Sequence, residues 1–206
     1  AAFPVLEGED RPLRSRVRSV RASLSENADL AALDAAGMDS LFGNDPRNGV
    51  PVQLAAGLKS AAILIEFDEP VPARSFSCHA VVSGPAGGGF GGPGGAASLE
   101  VSSDGNRFEK VADLSLQLGP MLDGFPLAPA TASFPAVRGR FFRVLLPPNR
   151  RVSSLTLSAA ARLKDWPVKT NCLHHARGRG EELFSATPDV HPASVIDPAR
   201  ILDLTS

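Results

Sequence analysis

The stretch Ala97–Leu118, ASLEVSSDGNRFEKVADLSLQL, decides the fold that the sequence predicts. Its first half alternates, with Leu99 and Val101 on one side and polar residues between them, which is typical of a strand with one buried face. Asp104-Gly105 follows at once and favours a tight turn, because glycine tolerates the positive φ that such turns require. Apolar residues resume beyond the turn, so the stretch predicts a β-hairpin over residues 97–112.

A second stretch, Phe134–Pro148 (FPAVRGRFFRVLLPP), repeats this alternation. Phe142, Val144 and Leu146 share one face of the predicted strand, and the residues between them share the other. Pro147-Pro148 ends the strand, because neither proline has an N–H to donate to a ladder.

Further alternating segments occupy residues 62–68, 74–82, 139–146 and 152–163. Prolines at Glu69-Pro70 and Pro72 predict a bend between the first two of these strands. The succession predicts an all-β chain, a β-sandwich of about eight strands in jelly-roll order.

One segment, residues 25–36 (SENADLAALDAA), favours a helix or a pair of turns. Asn27 can cap such a helix, Asp29 suits its first turn, and Gly37 can end it. We therefore expect one short helix near residues 27–36.

The composition agrees with a β-rich globular domain. The chain has 206 residues, is 43% hydrophobic, and contains 19 Gly and 18 Pro, which favours many short strands joined by loops. A net charge of −1 provides no basic surface for nucleic acid, and no apolar run approaches the roughly 20 residues that span a bilayer. We expect no nucleic-acid or membrane partner, and we expect the chain to be a piece of a longer protein.

The hairpin and the strand with Phe141-Phe142-Arg143 resemble the discoidin-type, galactose-binding-like β-sandwich, in which an S-x-D-G turn ends one strand and an "A-R-Y-F-R-V"-like strand crosses the core. Val195–Thr205 (VIDPARILDLT) resembles a segment of family 106 glycoside hydrolases, the α-L-rhamnosidase type, and Ala1–Pro4 (AAFP) is similar to the end of another strand of that family. This resemblance implies a secreted or periplasmic parent enzyme. It also implies that the catalytic carboxylates lie on a separate (β/α)₈ barrel, whose alternating pattern this chain lacks.

Three regions are predicted along the chain. Residues 1–22 are an N-terminal arm with the first strand, residues 23–165 are the β-sandwich, and residues 166–206 are a C-terminal extension that packs on the sandwich or on a neighbouring domain. Within the arm, four arginines suggest a phosphate-binding stripe, but the overall charge favours a surface segment with Val17 and Val20 turned inward.

A loop dense in Asn, Asp, Gly and Pro covers residues 41–53. Some discoidin-like sandwiches bind a structural calcium ion with a loop in this place, and Asn44, Asp45 and Asn48 offer oxygens of the kind that calcium prefers. The alternative, which the departure from the family's D-G-D-x-x-T pattern favours, is an ordinary turn in which Asp45 bonds its own backbone.

Residues 84–95 (GPAGGGFGGPGG) formally match the G-x-G-x-x-G nucleotide motif. That motif requires a helix after the glycines, whereas a hairpin follows here. The segment is therefore expected to be a mobile loop without a cofactor.

Two cysteines, Cys78 and Cys172, are too few for a disulfide scaffold, and their pairing stays open. Cys172 with His174, His175 and His191 lacks the ligand spacing of a zinc site, and His79 is expected on the strand face opposite Cys78 as a surface or hydrogen-bonded residue.

No pattern of catalytic residues stands out, so the sequence predicts a non-catalytic domain. The main hypothesis is a structural accessory domain whose partner is the neighbouring catalytic barrel of a rhamnosidase-like hydrolase. The alternative is a carbohydrate-binding module for plant or bacterial polysaccharide, with Trp166 as the candidate stacking residue. The absence of Tyr and the single Trp weigh against that alternative, although Arg, Asn and Asp can hold sugar hydroxyls without an aromatic platform.

Overall fold

The computed structural model describes residues 13–43, 45–82, 95–116, 121–122, 125–126 and 129–160. Within these ranges one α-helix, α1, spans Ala35–Phe42, and short 3-10 turns lie at Leu13–Arg16 and Pro46–Asn48. The strands, in chain order, are β1 (Val17–Ala22), β2 (Ala31–Ala32), β3 (Val50–Val52), β4 (Ala61–Val82), β5 (Ala96–Ser102), β6 (Glu109–Ser115), β7 (Met121–Leu122), β8 (Phe125–Pro126), β9 (Ala130–Leu146) and β10 (Arg150–Ser158).

Two long antiparallel strands, β4 and β9, run through both layers of the molecule. The first half of β4 pairs with β1 and with the second half of β9, and β5 and β6 continue from β9. The second half of β4 pairs with β10 and with the first half of β9, and β3 pairs with β10. We call these layers the first sheet (β2-β1-β4-β9-β5-β6) and the second sheet (β3-β10-β4-β9). The short strands β7 and β8 pair with each other.

The hydrophobic core lies between the two sheets. Phe67 and Phe142 of the first sheet meet edge to face with ring centroids 5.7 Å apart, and Phe76 and Leu157 of the second sheet belong to the same buried cluster. Side chains from both sheets, among them Ile65 and Leu157, line one narrow apolar cleft. The predicted fold class, an all-β sandwich with one short helix, is confirmed.

The hairpin that the sequence predicted is confirmed as β5 and β6. Its turn is ordered by the Asp104 carboxylate, which accepts hydrogen bonds from the backbone N–H groups of Asn106 and Arg107 and from the Ser102 hydroxyl. Gly105 has φ +80°, and its N–H donates to the Ser102 hydroxyl. The turn therefore uses both residues of the Asp-Gly pair, the first as an acceptor and the second for its backbone conformation.

The helix lies later in the chain than predicted. Of the predicted range 27–36, only Ala35 and Ala36 belong to it, because Asn27 has φ +54° in a turn and Ala28 bridges to Ala55. Asp34 caps the helix instead, accepting from the Gly37 N–H at 2.8 Å. Asn27 and Asp34 are both good capping residues. The helix begins after Asp34 because the bridge between Ala28 and Ala55, which are distant in sequence, holds the residues after Asn27 in another conformation.

Strand boundaries also differ from the predictions. The segments 62–68 and 74–82 belong to one continuous strand, and the expected bend appears as register shifts in the pairing of β4 with β9. β9 begins at Ala130, four residues before the stretch Phe134–Pro148 from which the strand was predicted. β10 ends at Ser158, five residues before the predicted end of its strand.

The N-terminal arginines are surface residues, as the charge balance predicted. Arg14 forms an ion pair with Asp39 at 2.9 Å and Arg18 one with Glu66 at 3.4 Å, while Val20, two residues after Arg18, is buried. The glycine segment up to Gly94, Cys172, the histidines beyond it and the C-terminal extension lie outside the described residues. The proposed division into three regions stays a prediction. Within the described ranges, no helix is long and apolar enough to cross a membrane.

Replacing Asp104 with Asn is expected to weaken the dependence of stability on acid pH. Hydrogen bonds from Arg107, Asn106 and Ser102 lower the pKa of Asp104 to about 2, below the ordinary value of about 3.9. The ionised carboxylate therefore stabilises the fold above about pH 4, and this contribution is lost as the pH falls towards 2. Urea unfolding from about pH 5 to pH 2 measures the effect.

Asp29→Asn is the matched control, because Asp29 is an exposed carboxylate in the connection between β1 and β2. Its stability should fall with pH as in the wild type. An acid branch of the Asp104→Asn profile as steep as that of the control would contradict the assignment.

Candidate functional site

The candidate calcium residues fall at the turn between α1 and β3. Asp45 precedes the 3-10 turn Pro46–Asn48, and its carboxylate accepts from the Arg47 N–H at 2.9 Å. The Asn48 N–H donates to the Asp45 carbonyl at 3.1 Å, and the side chains of Asp45, Arg47 and Asn48 are exposed. We call residues 45–49 the Asp45 turn. Asn44 and the carbohydrate candidate Trp166 lie outside the described residues.

The Asp45 turn is fixed to strand β10. The Gly43 carbonyl, just before it, accepts from the Ser154 N–H at 2.8 Å and from the Ser154 hydroxyl at 3.1 Å. The Arg151 guanidinium donates to the Arg47 carbonyl at 3.4 Å. A Cβ atom on Gly49 would lie 2.7 Å from the Val152 carbonyl, so only glycine permits this approach of the two backbones.

A β-bulge in β10 makes these contacts. The pairing of β10 with β4 shifts register between Ser153 and Thr156, and Ser154 inside the bulge has φ +50°, which is uncommon for a residue with a side chain. The Ser154 hydroxyl lies 3.0 Å from His79 Nδ1. Since its single proton points to Gly43, the hydroxyl accepts from His79, and this assigns the proton to Nδ1.

His79 is thus a buried, hydrogen-bonded residue on the strand face opposite Cys78, as the sequence predicted. The participation of Ser154 was not predicted. A Ser-Ser pair within a strand carries no signal for a bulge, because serine is not among the residues that favour the left-handed conformation that Ser154 adopts.

Cys78 packs in the core, and burial raises the pKa of its thiol to about 12. The thiol is therefore protonated at neutral pH and is not a nucleophile there. Among the described residues, no three His, Cys, Asp or Glu side chains form a group that could hold a metal ion. The calcium site at Asn44, Asp45 and Asn48 stays a prediction.

Two half-buried carboxylates lie on the outer face of the first sheet, each against an arginine. Glu66 accepts from Arg140 at 2.8 Å, and Glu100 accepts from Arg143 at 2.6 Å. The Arg143 guanidinium also covers the Phe108 ring, 4.0 Å from its centroid. The outer face of the first sheet therefore presents paired charges and a covered aromatic ring.

Comparisons with known proteins return structures only. No protein-family model and no curated protein matches the chain. A rhamnosidase from Novosphingobium sp. PP1Y is 20% identical over 82% of this chain, with a TM-score of 0.49, and this chain covers 12% of that protein. The chain thus spans a small part of the rhamnosidase.

Two further similar structures are CBM32 domains. That of AlyQ, solved in complex with 4,5-unsaturated mannuronic acid, is 11% identical, with 68% of this chain and 94% of that one covered and a TM-score of 0.42. One from Clostridium perfringens, in complex with GalNAc-β-1,3-galactose, is 14% identical, with 70% and 96% covered and a TM-score of 0.39. Such low sequence identities and TM-scores do not indicate the activity or the ligand of this chain.

Replacing Ser154 with Ala is expected to destabilise the fold by about 1–3 kcal/mol, because His79 loses a buried hydrogen-bond partner and Gly43 loses one of its two donors. Denaturant unfolding measures the change, and hydrogen exchange in β3 should rise, since β3 follows the Asp45 turn. Ser103→Ala, at an exposed serine of the β5–β6 turn, is the control and should match the wild type. If both variants unfold alike, the bulge does not fix the turn.

Proposed function

We propose that this chain is a non-catalytic β-sandwich domain of a carbohydrate-active protein and that it binds carbohydrate weakly at the Asp45 turn. The observation that carries the proposal is the exposed set of Asp45, Arg47 and Asn48 on a backbone fixed to β10. Sugar hydroxyls both donate and accept hydrogen bonds. A carboxylate accepts, a guanidinium donates and an amide does both, so these three side chains match a pair of neighbouring hydroxyls.

The rigidity of the turn supports binding. The hydrogen bonds of Gly43 and Arg47 to β10 hold the backbone before a ligand arrives, so less ordering is required on association. Affinity should nevertheless be low. Phe108, just before β6, lies under Arg143, and none of the aromatic side chains whose burial the structure describes is fully exposed, so those residues offer no open aromatic platform for a sugar ring.

We expect L-rhamnose or galactose to bind with a Kd in the millimolar range, about −4 kcal/mol. The double variant Arg47→Ala/Asn48→Ala should weaken binding by about tenfold or more, since each lost hydrogen bond costs about 0.5–1.5 kcal/mol. A heteronuclear NMR titration of the full chain measures the affinity and also reports which backbone amides shift.

The chain offers a matched control for that variant. Asn106→Ala/Arg107→Ala removes the same two side-chain types from the exposed β5–β6 turn at another place in the fold. It should bind as the wild type does. Equal loss in both double variants, or amide shifts that spare residues 45–49, would place the site elsewhere. Lack of binding to either sugar at tens of millimolar, about tenfold above the expected Kd, would reject the proposal for these two sugars.

A second candidate function is the structural accessory domain, favoured by the resemblance of Val195–Thr205 to family 106 glycoside hydrolases. In this proposal the partner is the catalytic barrel of the same polypeptide, in a secreted or periplasmic enzyme. The two functions are compatible, because a sugar site at the Asp45 turn leaves the outer face of the first sheet accessible, where a partner that supplies matching charges could pack.

Both candidates exclude catalysis by this chain, so an aryl α-L-rhamnoside should not be hydrolysed above the uncatalysed rate. Glycosidases place two carboxyl groups about 5–9.5 Å apart across the scissile bond. Glu66 and Glu100 lie on either side of strand β9, and each carboxylate is bonded to an arginine of that strand, so neither is free to act as the acid or nucleophile of such a pair. A release assay measures turnover, and turnover that Glu66→Gln abolishes would overturn this assignment.

A further inference from the structure

The outer face of the second sheet consists of small hydroxyl residues. Cross-strand pairing aligns two rows over β10, β4 and β9, which are Ser158–Ser75–Ser133 and Thr156–Ser77–Thr131. Their neighbours in sequence, such as Phe76 and Leu157, point to the core between the sheets. The six residues, which we call the hydroxyl face, carry no formal charge. The outer face of the first sheet, by contrast, carries Glu66, Arg140 and Arg143.

Three serines of the hydroxyl face are buried although they point away from the core. Ser158 is 0% exposed, and Ser75 and Ser77 are each 1% exposed. On the outer face of the first sheet, Glu66 and Arg143 stay partly exposed. Uncharged serines that point away from the core and are closed to solvent indicate that a layer of protein covers them.

The chain itself turns onto this face as it leaves β10. The Ala160 N–H donates to the Ser158 hydroxyl at 3.1 Å. The Ser75 hydroxyl on the neighbouring strand donates to the Ala160 carbonyl at 2.7 Å. Two residues after β10 ends, the backbone therefore crosses towards β4 above the hydroxyl face, and residues 161–206 continue from that point.

We propose that the hydroxyl face is the docking surface for the segment 161–206 of the same chain. Serine and threonine suit this role, because they let a second backbone approach closely and can bond its N–H and C=O groups, as Ser75 and Ser158 do with Ala160. The segment carries large apolar residues, among them Trp166, Phe184 and Ile201, which gain from burial against a sheet. The inference does not depend on carbohydrate binding.

The test cuts the chain between the sandwich and the segment only after folding, so the segment is present while the chain folds. A recognition sequence for a specific protease is inserted after Arg162, and the full chain is purified and then cut. Under native conditions the released segment should co-elute with the sandwich on size exclusion. In the variant Ser77→Arg, the fraction retained should fall by about tenfold or more, because docking would bury an unpaired charge.

Ser98→Arg is the matched control, since Ser98 is a β5 residue of the first sheet, on the face opposite its core residue Leu99. It should retain the segment as the wild type does. Elution of the wild-type segment apart from a folded sandwich would overturn the proposal, and equal retention by Ser77→Arg and Ser98→Arg would do the same.

A second variant keeps the test decisive if Ser77→Arg does not fold. In Ser77→Cys, the new thiol should resist alkylation in the intact chain and react at least about tenfold faster once the cut segment has been dissociated in mild denaturant and removed. Tandem mass spectrometry, through fragment ions that separate residue 77 from residue 78, distinguishes it from Cys78 and Cys172. Protection that persists without the segment would show that something else, such as a second copy, covers the face.

Discussion

The pairing of β4 with β9 is the constraint on which the rest of the structure depends. Each strand is long enough to belong to both sheets, so their ladder joins the layers that enclose the core. Phe67 from one strand and Phe142 from the other meet inside it, and burying two such rings contributes several kcal/mol, about 1.5–3 for each. β1, β5, β10 and, through them, the remaining paired strands of both sheets take their register from this ladder.

The elements that the sequence predicts well are those fixed by local chemistry. The alternation around Leu99, the Asp104-Gly105 turn and the double proline after Leu146 each carry their own signal, and each is found in place. The helix and the length of β4 were missed for a common reason. Contacts between residues distant in sequence decide them, as Ala28 with Ala55 shows, and the prolines of β4 fall where its ladder with β9 is interrupted.

The candidate site likewise has features that local sequence predicts and features that depend on contacts distant in sequence. The sequence marks residues 45–48 as a turn and supplies the side chains that a sugar or a cation would use. The bulge at Ser154 fixes the position of that turn. No sequence pattern predicts the bulge or the hydrogen bond between Ser154 and His79. A polar residue in a strand predicts exposure, whereas here Ser154 and His79 are buried because they satisfy one another.

The two outer faces of the sandwich differ in a way that constrains what each can contact. The first sheet keeps its charges in pairs, and such pairs at partial exposure remain solvated at little cost. The second sheet has no charges in its two hydroxyl rows, so a polypeptide can cover it without a desolvation penalty of that kind. Charge would oppose a close-packed layer on the first sheet unless the layer supplied matching charges. If the segment 161–206 docks as proposed, uncharged packing covers the second sheet, and the Asp45 turn and the charged outer face of the first sheet remain in contact with solvent.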